Sequence, residues 1–211
     1  MNVSDPSILA DALVRIVDDD ESVRISLVDL LRSEDIPAVG YGSPEELTEY
    51  DDPTRAGCIV LDIHLGNVNG LDFQQELAER GASRPVIIIT GAGDIPMTVR
   101  AMKAGAVDFL TKPFSDDEFL SAINGAVARD RQAAVESGRI GAVERLVSGL
   151  TKREISVMDA IVSGLMNKQI AGKFDISEAT VKLHRRNLMR KMEVRTVADL
   201  VKKAEMVKRV R

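Results

Sequence analysis

The chain has 211 residues, 28 Lys and Arg against 33 Asp and Glu for a net charge of −5, and one cysteine, Cys58. A single cysteine excludes an intrachain disulfide framework, and the absence of a signal peptide or of an apolar run near the ~18 residues of a membrane span predicts a cytoplasmic protein with no membrane contact. Residues 1–148 hold 13 Lys and Arg against 26 Asp and Glu, a net of −13, whereas residues 149–211 hold 15 against 7, a net of +8, so two modules with different partners are expected: an acidic one suited to a cation or a regulatory surface, and a basic one suited to nucleic acid.

After a tail of residues 1–11, Leu13-Val14-Arg15-Ile16-Val17 reads as a first strand that breaks into Asp18-Asp19-Asp20-Glu21. A helix from about Ser22 to Ser33 carries Val23, Leu27, Leu30 and Leu31 at helical spacing, with Asp20 and Glu21 placed where the helix dipole favours negative charge. Ala38 to Tyr41 is a second short strand, followed by Ser43-Pro44-Glu45-Glu46, an N-cap with Pro in the first turn. Cys58-Ile59-Val60-Leu61 is a run of four apolar residues delivering Asp62, the pattern of a buried parallel strand. A helix follows from about Leu71 to Arg80. Val86 to Ile89 is a fourth strand ending at Thr90; Pro96 to Ala104 is a short helix; Val107 to Leu110 is a fifth strand ending at Thr111-Lys112-Pro113. Five alternations of strand and helix predict a doubly wound, five-stranded parallel sheet.

In such sheets the ligand crevice lies outside the carboxyl ends of the strands. The strand ends offer Asp18 and Asp19, then Asp62, Thr90 and Lys112. Three converging carboxylates call for a hard divalent cation with oxygen ligands, Mg²⁺ or Mn²⁺. With the metal present, Asp62 can act as a nucleophile toward a phosphoryl group, with Lys112 and the Thr90 hydroxyl serving its oxygens.

Residues 12 to about 130 resemble the receiver domain of two-component response regulators, a flavodoxin-like fold. Asp18 and Asp19 match the family's acid pair, Asp62 its phosphorylated aspartate, Thr90 its switch hydroxyl, Phe109 its aromatic switch and Lys112-Pro113 its Lys-Pro pair with a cis peptide bond. The resemblance implies that the backbone carbonyl of His64 completes the protein ligands to the metal. One departure stands out: Leu65-Gly66 occupies the place of the family's common Met-Pro, which bears on phosphoryl lifetime and metal geometry, while Gly70 keeps the later glycine.

Ser115 opens a further helix with Phe119, Leu120, Ile123 and Val127 as its apolar stripe, and residues 131–148 are a linker, either solvated or a helix prolonged and interrupted near Gly138. From residue 149 the pattern is all-α. Thr151 and Glu154 have capping-box spacing before a helix ending at Gly164; Asn167 to Lys173 is short; Asp175-Ile176 turns the chain; Ser177 caps a third helix to about Lys191; a fourth spans about Val197 to Val207. In the third helix Val181, Leu188 and Met192 recur on one side and Lys182, Arg185, Arg186 and Arg190 lie toward the other, as helix-turn-helix logic requires.

Residues 150 to 200 resemble the four-helix DNA-binding domain of the LuxR and NarL type, carried by Leu150-Thr151, Arg153-Glu154, Gly164, Asn167-Lys168-Gln169-Ile170-Ala171, Ile176-Ser177, Thr180-Val181-Lys182, His184 and Lys191. The resemblance implies that Lys182, Leu183 and Arg186 read the groove and that Thr180 and Lys168 touch the backbone. It further implies a structural His184 and a dimer contact on the fourth helix through Val197, Leu200, Val201 and Ala204.

Together the halves resemble a FixJ-type response regulator. That implies a sensor histidine kinase as phosphoryl donor, phosphorylation-driven homodimerisation, binding to promoter DNA, contact with RNA polymerase, and at most weak autophosphatase activity rather than an enzyme's turnover. Two rivals differ in class. An aspartate-nucleophile phosphatase carries its nucleophile on the first strand, whereas Asp62 is on the third. A constitutive DNA-binding transcription factor with an inert receiver has only Leu65-Gly66 in its favour.

Overall fold

The computed structural model describes residues 9, 11–52, 54–81 and 84–208. Most of the expected N-terminal tail and the last three residues of the expected basic domain lie outside the described residues. The chain divides into two compact units between Ala134 and Val135.

The first unit is a parallel sheet of β1 (Leu13–Val17), β2 (Ala38–Tyr41), β3 (Gly57–Asp62), β4 (Val86–Thr90) and β5 (Asp108–Thr111) in the order β2-β1-β3-β4-β5. Helices α1 (Glu21–Ser33), α2 (Pro44–Tyr50), α3 (Gly70–Glu79), α4 (Ile95–Lys103) and α5 (Asp116–Ser148) alternate with the strands. Strand residues alternate between faces, and here both faces are covered. Val14, Ile16, Cys58, Val60, Ile87 and Ile89 pack with Leu27 and Leu31 of α1 and Phe119, Ile123 and Val127 of α5. Val17, Ile59, Leu61 and Ile88 pack on the opposite side with Leu47, Leu71, Phe73 and Ala101. Parallel register sets Val17 beside Leu61, Asp62 beside Ile89 and Thr90 beside Thr111, so the strand ends carrying polar residues are level with one another.

Helix starts follow their caps. Asp20 accepts from the Ser22 and Val23 N–H groups, Ser43 from Glu46 N–H, Asn69 from Leu71 N–H and Asp94 from Met97 N–H. The stretch read as a linker is helical through Ser148, with no break at Gly138 or Gly141. Each glycine costs a helix only about 1 kcal/mol relative to Ala, and the surrounding Ala, Arg, Glu and Gln are good helix formers.

A feature not expected from the sequence is a short antiparallel ladder pairing His64–Leu65 with Val68–Asn69. Its turn is Gly66-Asn67, with Gly66 in the left-handed region at φ +59°. A second is a buried ionic cluster on the first unit. Arg15 lies wholly inside β1's packing and pairs with Asp51, which also pairs with Arg84. The Arg15 guanidinium further donates to the carbonyls of Leu13, Asp52 and Arg55 at 2.9, 2.8 and 2.9 Å.

The second unit comprises α6 (Lys152–Val162), α7 (Asn167–Phe174), α8 (Glu178–Lys191) and α9 (Val197–Lys208). Its core joins Val157, Met158, Ile161, Ile170, Val181, Leu188, Met192, Leu200 and Ala204. Val143 and Val147 from the end of α5 belong to the same core, so these positions are packing residues rather than spacer. Leu200 and Ala204 are buried within this unit, which removes them from the surface expected to make a dimer contact; Val197 remains exposed. A left-handed Asp175, φ 51°, makes the turn between α7 and α8. The Arg153 guanidinium sits 4.6 Å from the centre of the Phe174 ring and donates to the Phe174 carbonyl at 3.0 Å, tying α6 to the end of α7.

The capping box at Thr151 and Glu154 is present, and Lys191 Nζ donates to Glu154 Oε2 at 2.8 Å. That lysine, together with the Thr151 N–H, holds the Glu154 carboxyl down to about 2 from an ordinary 4.5. A depressed carboxylate contributes stability above its unfolded value and loses it as pH falls through the folded one. The second unit should therefore lose this contribution between about pH 4.5 and pH 2. Urea unfolding of the native chain and of Glu154→Gln across that range checks it: the gap between them is expected to close as pH falls, and a constant gap contradicts the assignment. Among the described residues no helix is long and apolar enough to cross a membrane.

Candidate functional site

At the carboxyl edge of the sheet, β1 delivers Asp18 and Asp19, β3 Asp62, β4 Thr90, and the segment after β5 Lys112. Asp18, Asp62 and Thr90 are buried, and Asp19 is exposed. One oxygen from each of the three carboxylates lies within 4.8 Å of the others. Lys112 Nζ bridges two of them, donating to Asp18 Oδ2 at 2.7 Å and Asp62 Oδ2 at 2.8 Å. Burial raises the Asp18 carboxyl above its ordinary range, partly offset by the hydrogen bonds from Lys112 and the Asp20 N–H. For Lys112, burial works to lower the ammonium, but the bonds and charges of Asp18 and Asp62 outweigh it and its pKa is raised.

Backbone donors complete the arrangement. Asp20 N–H donates to Asp18 Oδ1 at 2.9 Å, His64 N–H to Asp62 Oδ1 at 3.2 Å, and Gly66 N–H to Asp19 Oδ2 at 3.0 Å. Thr90 Oγ1 accepts from Ala92 N–H at 3.3 Å, and the Lys112 N–H donates to the Thr90 carbonyl at 2.7 Å. The Lys112–Pro113 peptide is cis. Phe109 is partly buried against the core on the Ile88 side of the sheet. Gly93, in the loop after Thr90, comes so close to the Phe109 ring that a Cβ there would meet Cε1 at 3.1 Å.

Gly70 is fixed by sterics: a Cβ would stand 2.0 Å from the Asp62 carbonyl oxygen. Only glycine lets α3 begin against the end of β3, where its N–H donates to the Ile63 carbonyl at 2.8 Å.

Two contacts at the site are not visible in the sequence. Arg24 of α1 donates to the Asp18 carbonyl at 2.7 Å, and a cation one turn into the helix after an acid cluster was the available signal. Gly66 supplies its N–H from a turn too short to show a periodic pattern.

The donor set is hard oxygen throughout, which fits Mg²⁺ or Mn²⁺ and not a soft metal. Convergence of a buried carboxylate, an ammonium, a hydroxyl and an acid cluster can support phosphoryl transfer to Asp62.

On the second unit, Lys182, Leu183 and Arg186 are exposed on α8, with Leu183 half exposed despite its apolar side chain. Lys168 is exposed on α7. Thr180 is partly buried, its hydroxyl 2.8 Å from that of the cap Ser177, and His184 is partly buried. Lys182, Leu183, Arg186 and Arg190 thus share the outward side of α8, while Val181 and Leu188 are buried.

Family models for the response regulator receiver domain and for bacterial regulatory proteins of the luxR family match residues 14–124 and 148–204. Nodulation protein W of Bradyrhizobium diazoefficiens is 45% identical over 194 residues, covering 92% of this chain and 86% of that protein. Transcriptional regulatory protein FixJ of Rhizobium meliloti is 37% identical over 196 residues, covering 93% and 96%. Among solved structures, response regulator StyR aligns with a TM-score of 0.80 at 42% identity over 92% of this chain and 98% of that one.

Proposed function

The chain belongs to the response regulators that join a receiver domain to a LuxR-type DNA-binding domain, transcription regulators rather than classical enzymes, and from that premise we propose that phosphorylation of Asp62 controls its DNA binding. The observation that carries the proposal is the convergence of Asp18, Asp62, Thr90 and Lys112 from four strand ends, with Lys112 in contact with both acids.

A sensor histidine kinase presents a phosphohistidine. An Asp62 carboxylate oxygen attacks phosphorus, the new P–O bond forms as the P–N bond breaks, and the imidazole leaves with the electron pair. Asp18, Asp19, Asp62 and the His64 carbonyl would hold Mg²⁺ or Mn²⁺, which supplies charge neutralisation for the acid cluster and the incoming phosphoryl oxygens. Lys112 transfers its ion pair from the Asp62 carboxylate to a phosphoryl oxygen. The Thr90 hydroxyl gives up its weak contact with Ala92 and donates to another. Movement of the loop after Thr90 reaches Phe109, against which Gly93 is packed.

The consequence is assembly. Ile95, Val99 and Met102 are exposed at 81%, 46% and 48% and recur on one face of α4, an apolar stripe suited to a second copy. A two-fold dimer then presents two α8 helices to half-sites of promoter DNA, with Lys182, Leu183 and Arg186 at base edges and Thr180 and Lys168 at the backbone. Contact with RNA polymerase follows at the promoter, in the cytoplasm, and slow hydrolysis of the aspartyl phosphate ends the signal. Arg186→Ala should weaken specific DNA binding by about 1–3 kcal/mol and relax the base preference at one position, measured by mobility shift on point-substituted operators.

Acetyl phosphate labelling with Mg²⁺, followed by borohydride trapping and peptide mass spectrometry, tests the acceptor. Reduction at Asp62 is expected; labelling elsewhere, or none, counts against the reading.

A further inference from the structure

We infer that the backbone N–H of Gly66 is a positioning group for Asp19, holding that acid ready for the cation; the inference rests on the metal reading above. Asp18 and Asp62 are buried and tied to Lys112. Asp19 is exposed, and the Gly66 N–H at 3.0 Å is its side chain's only hydrogen-bond or ion-pair partner among the described residues. This contact spans 47 positions and joins the end of β1 to the turn after Asp62.

The glycine is not there for want of room, because a Cβ at position 66 would meet nothing within 4 Å. Its backbone conformation is the specific feature: φ is +59°, where most side chains are strained. The ladder of His64–Leu65 with Val68–Asn69 fixes that turn, and Asn69 in turn caps α3. One turn thus sends two N–H groups to two different acids, His64 to Asp62 and Gly66 to Asp19. Proline, common at this position in receivers, has no N–H to give. An exposed aspartate left alone samples several rotamers and must be ordered when it binds; one already held by a backbone donor loses less freedom on binding.

The test is Mg²⁺ titration of the full chain by calorimetry, comparing the native protein with Gly66→Pro, Gly66→Asn and Asp19→Ala. Proline removes the donor and cannot adopt the turn's φ, whereas asparagine keeps the N–H and tolerates the left-handed region. Gly66→Pro should raise the Mg²⁺ dissociation constant about tenfold, and Gly66→Asn should stay within about twofold of native. Melting of the metal-free proteins serves as the structural control, with Gly66→Asn expected to remain close to native and Gly66→Pro to melt lower, because its ring cannot take the turn's φ. A proline variant that binds Mg²⁺ as the native chain does, or an asparagine variant that loses as much as proline, overturns the inference. Native binding that Asp19→Ala leaves intact overturns it too, while sparing the acceptor role of Asp62. If the native chain binds no Mg²⁺, the metal reading itself fails and takes the inference with it. Independently of folding by the proline variant, amide exchange at Gly66 should accelerate in Asp19→Ala; unchanged exchange also overturns the inference.

Discussion

Asp51→Ala is expected to destabilise the first unit by about 3–5 kcal/mol, because it strips a buried guanidinium of its counter-charge. Arg15 is completely buried in β1, and Asp51 pairs with it through one carboxylate oxygen and with Arg84 through the other. After the substitution Arg15 retains only the carbonyls of Leu13, Asp52 and Arg55, which accept its hydrogen bonds without balancing its charge. The Asp52 and Arg55 carbonyls lie in the segment leading into β3, so the loss should loosen the entry to the strand that carries Asp62. Asp51→Asn, which keeps an acceptor, should fall between native and alanine. Arg15→Met should cost less than Asp51→Ala, since it leaves Asp51 paired with Arg84 and no buried charge behind. Urea unfolding resolves these cases, and the second unit's transition should stay in place because its core shares no residue with the first. A loss under about 1 kcal/mol for Asp51→Ala would place the pair among solvent-screened ion pairs instead.

The second large effect is at Gly70. A Cβ there would lie 2.0 Å from the Asp62 carbonyl oxygen and 3.1 Å from the Ile63 Cα, and both are backbone atoms with no rotamer to yield. Gly70→Ala must therefore displace the start of α3 from the end of β3, at an expected cost of about 3 kcal/mol or more. The same shift moves the backbone that presents Asp62, so phosphorylation should fall along with stability. Gly66→Ala serves as the contrast, since at that position a Cβ has open space and only the positive φ opposes it. Denaturation and labelling with acetyl phosphate read both; native-like stability and labelling in Gly70→Ala would contradict the close approach.

The parts of this molecule that the sequence made legible are those written in local chemistry. Runs such as Cys58 to Leu61 and Val86 to Ile89 are apolar on both faces, and the first polar residue after each marks the edge where the site forms. Ser43, Thr151 and Ser177 announce helix starts because a cap needs only its own helix's free N–H groups.

What was not legible depends on residues far apart in the chain. Arg15 interrupts an apolar run, and nothing near it reveals that Asp51, 36 positions on, will neutralise it. The ladder at His64 to Asn69 has two residues a side, too few for any alternation to show. The continuity of α5 past Gly138 reflects the helix-forming character of its neighbours outweighing one poor residue. On α9, Val197, Leu200, Val201 and Ala204 form one broad apolar stripe with no local sign of which members face inward. Packing on the second unit's core selected Leu200 and Ala204 and left Val197 outside.

The most direct test of phosphorylation control is DNA binding and oligomeric state measured side by side, with and without Mg²⁺-supported beryllofluoride, on the native chain and on Asp62→Ala. The account predicts that beryllofluoride dimerises the native chain and tightens its binding to a two-fold operator, and that Asp62→Ala stays monomeric with unchanged affinity. Equal binding by both proteins under both conditions would contradict it and leave the receiver inert.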